Sequence, residues 1–310
     1  MDTLEIRSLT KWYGSTRGVE DVTFAIGQGE VFGYLGPNGS GKTTTLRCIL
    51  GLLRPTRGEV RVLGQPVRPG RATHHARIGY LPGDFRIWPQ LKARRALGVL
   101  AALGGADRKT RTRRDQIAER IGLNLDRPVG DLSKGNRQKV GVVFAFQHQP
   151  DLLILDEPTA GLDPLVRQIV LEMIREAAAA GATVLLSSHD LSEVSTACGR
   201  AGILREGRLV ELAPISRIVQ QGHRRLKVWL KEGERVPAIP PDPPPGVRVV
   251  QQGQGVLEIT YEGTADVVLR WASQLPVDRI STPETSLEEA FIQYYTTPTK
   301  GRTAGGGDRP

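Results

Sequence analysis

With 310 residues and 39% hydrophobic content, the chain can bury one large core and a smaller one. It holds no run of the roughly 20 uncharged apolar residues that a membrane span takes. Its two cysteines, Cys48 and Cys198, exclude a disulfide framework or a cysteine-bound metal cluster, while the net charge of +9, mostly arginine, fits either nucleic acid or an anionic membrane face and decides little.

Taken in order, the N-terminus "MDTLEIRSLTKWYG" lacks the basic start and apolar core of a secretion signal, so a cytoplasmic location is expected. Residues 3 to 35 read as strands with tight turns, ending in the apolar "VFGYLG". A helix follows in "GKTTTLRCILGLL", stopped by the turn at Pro55 and Gly58, and "EVRVLG" returns as a strand. From about 85 to 135 the pattern is helical and basic, including "RKTRTRRD" at 108 to 115. The runs "DLLILDEP" and "ATVLLSSHD" have the continuous apolar character of strands buried on both faces of a parallel sheet. Between them "PLVRQIVLEMIREAAAAG" reads as a crossover helix with Gly181 as its stop. After about 215 the texture changes to half-exposed strands, the Pro-rich loop "PAIPPDPPPG", and short helices at "ADVVLRWASQL" and "SLEEAFIQYY". The expected organisation is therefore a cassette over 1–214, a small α+β domain over 215–297 and a disordered tail over 298–310.

Two motifs carry chemistry. "GPNGSGKTT" (36 to 44) fits the phosphate loop G-x-x-x-x-G-K-[ST], between an apolar strand and a helix. Gly36, Pro37, Asn38, Gly39, Ser40 and Gly41 would wrap phosphates with backbone N–H groups, Lys42 would reach the outer phosphates, and Thr43 would offer its hydroxyl to Mg²⁺, with Thr44 beside it. "LLILDEP" supplies the second part: Asp156, at the end of a buried strand, holds Mg²⁺, and Glu157 is placed to take a proton from water. His189, after the next apolar strand, could bond a terminal phosphate and the attacking water.

Together these motifs resemble the ATP-binding subunit of an ABC transporter, over about residues 3 to 213. The resemblance implies an α/β P-loop NTPase cassette: a mainly parallel core sheet, an antiparallel β subdomain and a helical subdomain. It also implies ATP and Mg²⁺ as cofactors. "LSKGNRQ" looks like the family's signature, with Ser133, Lys134, Gly135 and Asn136 contacting nucleotide, and "AGLD" resembles its D-loop, with Asp163. Tyr13 matches the aromatic that stacks on adenine, with Trp12 as the neighbouring candidate. In this family two subunits bind head to tail, so the signature would cap the ATP held by a second copy or by a paralogous subunit.

One departure is plain. Where the family usually has a Gln that contacts Mg²⁺, this chain has Gly83, so Asp84 or a water would have to substitute. Lys134 and Asn136 also depart from the commonest signature. Those changes, together with "TSLEEAFIQYY", resemble the subgroup that drives export through ABC-2 type permeases. The resemblance thus implies a membrane permease as partner, peripheral attachment to the inner face of the membrane, and no specific nucleic acid. A non-transport ABC ATPase acting on nucleic acid or the ribosome is the alternative; those typically bring a coiled-coil insertion or a second cassette.

Overall fold

Alternating burial in the first two strands starts a sheet with one wet face. β1 (Asp2–Tyr13) and β2 (Thr16–Gly27) pair antiparallel and turn Leu4, Ile6, Phe24 and Ile26 inward. After them come β3 (Val31–Leu35), α1 (Lys42–Ile49), β4 (Arg57–Val62) and β5 (Gln65–Pro66). β4 and β5 complete a four-stranded sheet of order β2-β1-β4-β5. A 3₁₀ turn, His75–Arg77, leads into β6 (Ile78–Leu81), and three helices follow: α2 (Ala93–Leu103), α3 (Arg108–Arg120) and α4 (Lys134–Phe146). The chain then alternates through β7 (Leu152–Asp156), α5 (Pro164–Ala179), β8 (Thr183–Ser188), α6 (Leu191–Ala197) and β9 (Arg200–Arg205), and turns back as β10 (Arg208–Pro214).

The second sheet has the order β10-β9-β3-β8-β7-β6, parallel except at β10. β3, β7 and β8 are buried at every residue, which is why their sequences are continuous apolar runs. One core joins the two sheets, with Phe24 of the first stacked on Phe32 of the second at 5.0 Å between ring centres. In the helical region the first helix begins at residue 93, not near 85, because Pro89 and the preceding extended segment keep 82–92 irregular.

The structure, a computed structural model, describes residues 2–70, 75–104, 107–220, 224–231, 243–253, 255–261 and 264–281. The chain divides into two units, Met1–Ile215 and Ser216–Pro310, against an expected boundary after residue 214. The short helix α7 (Ile215–Gln220) lies at that division. In the second unit, β11 (Arg224–Leu230), β12 (Val247–Gly253), β13 (Val256–Tyr261) and β14 (Val277–Ser281) form an antiparallel sheet of order β12-β13-β11-β14. α8 (Ala265–Ala272) packs Val268 and Trp271 onto its Val228 and Ile259. The expected helix at 286–295, the tail at 298–310 and most of the Pro-rich loop fall outside the described residues. Among the described residues no helix is long and apolar enough to cross a membrane.

Candidate active site

β3 delivers the phosphate loop to the carboxyl end of the parallel strands, where ligands of open α/β sheets bind. Gly41 makes the entry into α1 at φ +107°, and a Cβ there would lie 2.5 Å from the Gly18 carbonyl oxygen. Only glycine enters the helix this way. With no acidic side chain in the first turn, the free N–H groups of α1 keep their positive end. An open cleft of about 640 Å³ covers the loop. Residues 37–39 and 41–44 line it, and Tyr13 borders it from β1, with its hydroxyl 3.5 Å from Thr44 Oγ1. Trp12 is not part of the lining. Gly36 and Ser40 lie outside it as well: Ser40 is 3% exposed, its hydroxyl unpartnered, and a Cβ on Gly36 would come within 2.4 Å of it.

Two polar lines reach this cleft, their far members Ser187 and His189 lying outside its lining. In the first, Thr43 Oγ1 donates to Asp156 Oδ2 at 3.0 Å, and Ser187 Oγ donates to Asp156 Oδ1 at 2.9 Å. Both oxygens of the buried carboxylate are thereby oriented. In the second, Lys42 Nζ donates to the Gly36 and Pro37 carbonyls at 2.5 and 3.3 Å and stands 4.0 Å from Glu157 Oε1. His189 Nδ1 is 2.6 Å from the other Glu157 oxygen, Oε2. Burial pushes the Glu157 carboxyl up from its ordinary value, against the pull of His189 and Lys42. Burial likewise pushes the Lys42 ammonium down, opposed by Glu157 and Asp156. Glu157 itself sits at φ +53°, a conformation that costs about 1–3 kcal/mol for a residue with a side chain.

The oxygen-only set of Thr43 and Asp156 suits a hard cation such as Mg²⁺. Among the described residues no group of three or more His, Cys, Asp or Glu could cage a metal, so the donors fit an ion that keeps waters and shares phosphate oxygens. Gly83 lines the cleft, and a Cβ there would lie 3.5 Å from Asp156 Oδ2 in ordinary contact. Asp84 lines it too, but its carboxylate is turned to Arg86 at 2.8 Å.

The second phosphate-like motif is elsewhere. Ser133 caps α4, its Oγ accepting from the Asn136 amide at 3.2 Å, and Ser133 and Lys134 are exposed. None of residues 133–136 lines the cleft. Gly135 packs so closely on Gly161 that a Cβ would be 2.6 Å from its carbonyl oxygen. Asp163 is exposed and caps α5, accepting from the Val166 amide at 3.0 Å. Sequence reasoning missed Arg17, Arg47 and Tyr80 in the lining, and Ser187 behind Asp156. Arg47 had a signal, lying one helical turn beyond Thr43 on the same face of α1.

Residues 19–160 match the family model described as ABC transporter. The bacitracin transport ATP-binding protein BcrA of Bacillus licheniformis is 34% identical, over 96% of this chain and 99% of its own length. The Nod factor export ATP-binding protein I of Paraburkholderia xenovorans is 35% identical, over 70% of this chain and 73% of its own. A solved ATP-binding subunit of an ABC transporter superposes with a TM-score of 0.67 at 33% identity, covering 71% of this chain and 92% of that one. A bacterial ABC transporter cassette solved as a dimer gives 0.63 at 23% identity, over 68% of this chain and 98% of its own, a likeness of fold alone. A phosphate loop, a buried Asp, an adjoining Glu and a full-length relative converge on one assignment: the chain belongs to the ABC transporter family, as an ATP-binding and ATP-hydrolysing subunit.

Proposed function

We propose that the chain powers export through a separate ABC-2 type permease, working on the cytoplasmic face of the membrane as one half of an ATP-sandwich dimer. The meeting of Lys42, Thr43, Asp156 and Glu157 in one cleft carries the reading. The phosphate-loop amides and Lys42 hold the outer phosphates of ATP, and the Tyr13 ring stacks on adenine. Thr43 and Asp156 would hold Mg²⁺, which when bound would neutralise phosphate charge. Glu157 accepts the proton of the attacking water, and His189, hydrogen-bonded to it, orients the carboxylate and faces the terminal phosphate. Ser133, Lys134, Gly135 and Asn136, with Asp163, act on the nucleotide of a second subunit, either a copy of this chain or a paralogue. Relatives named for bacitracin transport and Nod factor export support export over action on nucleic acid or the ribosome.

Glu157→Gln tests this. The variant is expected to bind ATP, to lose turnover and to accumulate as an ATP-bound dimer in size-exclusion chromatography. Wild-type hydrolysis by Glu157→Gln would remove Glu157 from the chemistry. Copurification with a membrane protein of about six spans tests the permease.

A further inference from the structure

Glu157 occupies a backbone conformation that its side chain disfavours, and such a residue persists only where its surroundings hold it. Its N–H donates to the Ser187 carbonyl at 2.9 Å, which ties the peptide to β8. Its own carbonyl is held from another direction. Gln138, in the second turn of α4 and 7% exposed, donates through Nε2 to the Glu157 carbonyl at 2.9 Å and to the Pro158 carbonyl at 3.2 Å. Two carbonyl acceptors fix the orientation of the amide, because its oxygen could accept from neither. Four residues further along the loop, Gly161 meets Gly135 of the same helix. The segment that bears the carboxylate is therefore attached to α4 at both ends.

We propose that Gln138 is a positioning residue for Glu157. Its two N–H groups pin the 157–158 carbonyls, so the strained backbone cannot relax and the carboxylate stays beside Lys42 and His189. Gln138 itself is outside the cleft lining, so it acts through Glu157 and not on ATP. The inference rests on the reading of Glu157 as general base.

Gln138→Met keeps length without a donor, and Gln138→Glu keeps shape as an acceptor only. Both variants are first checked by thermal melting and by ATP binding, since a merely structural role would lower both. Small misplacements of a reacting group cost up to about 100-fold, so kcat is expected to fall by about 10- to 100-fold. The KM for ATP is expected to stay within about twofold, as befits an effect confined to the chemical step. The same substitutions are then made on Glu157→Gln, where no base remains to be positioned. There they are expected to leave the residual rate unchanged. An unaltered kcat in Gln138→Met, or an equal proportional loss in both backgrounds, overturns the proposal. If Glu157→Gln alone hydrolyses ATP normally, the general-base reading fails first and takes the inference with it.

Discussion

The phosphate loop and the start of α4 are built in opposite ways. At the phosphate loop, Lys42 and Asp156 are buried and the side-chain polar atoms of both have partners in the same chain. At the start of α4, Ser133 and Lys134 face outward, and the described bonds of Ser133, from the Asn136 and Arg137 amides, satisfy its own helix. A buried, paired constellation is finished by its own fold. An exposed, glycine-bearing helix start is left open by its own fold. The difference is the one the proposed dimer requires: a phosphate site nearly complete within the chain, and a helix start left open for the nucleotide of a second subunit.

The largest effect is expected where that comparison is broken in two different subunits. Lys42→Ala disables the loop, and Ser133→Arg plugs the helix start with bulk and charge, so each homodimer should be inactive. Mixed, the Ser133→Arg loop meets the Lys42→Ala signature, and one composite site is whole. Hydrolysis is expected to return, to at most about half of wild type if the sites act independently. Continued silence of a mixture that forms an ATP-dependent dimer would mean that one whole site is not enough.

Gly135→Ala sharpens the comparison from the other side. In an exposed helix the change stabilises by about 1 kcal/mol. Here the new Cβ would lie 2.6 Å from a backbone oxygen, and overpacking of this kind costs about 1–3 kcal/mol. A net loss of stability in denaturant unfolding, with a drop in kcat, is expected. A gain would mean that the Gly161 loop yields freely.

The buried end also predicts its own pH behaviour. Because Glu157 is held above its ordinary pKa, the acid limb of kcat should lie above that of a free glutamate. The sign for stability follows. In the window between the unfolded and folded values the native state binds more protons, so stability falls as pH rises through the folded pKa. Glu157→Gln removes that penalty and is expected to melt higher than wild type at neutral pH, with the advantage fading as pH drops into the window. An equal difference at all pH values would mean that the gain does not come from the charge of Glu157.

The smallest effect is expected at Gly83. A Cβ there has room beside Asp156, so Gly83→Gln should fold and leave the basal rate within about twofold, a change typical of a residue making no transition-state contact. The response of the rate to a reconstituted permease is the sensitive measurement. If basal kcat changes tenfold, the side chain reaches the chemistry directly.

What could be read from the sequence follows the range of the interactions. The loop at 36–44 and the pair Asp156–Glu157 were legible because each is a short motif between a buried strand and a turn. Glu157's dependence on Gln138 was not, since it spans 19 residues and appears only when α4 packs on β7. Ser187 looked like one more strand residue until β7 and β8 paired in register opposite Asp156. β12 and β14 were missed for another reason. "VRVVQQG" and "VDRIS" form the two edge strands, and their periodicity is too weak to separate from loop. The fold class needed only the buried strands, so it survived these omissions.

Lys42 has a consequence of its own. Its ammonium stitches the start of the loop to the start of the helix through the Gly36 and Pro37 carbonyls, so it acts as an internal rivet before any nucleotide arrives. On the proposed reading, ATP would exchange these carbonyl partners for phosphate oxygens around a cation already buried, so that its desolvation is met by folding. The loop should therefore resist amide hydrogen exchange even without nucleotide, and Lys42→Ala should loosen it in the empty protein. The lysine is a mould for the ligand's shape as well as a hand for its charge.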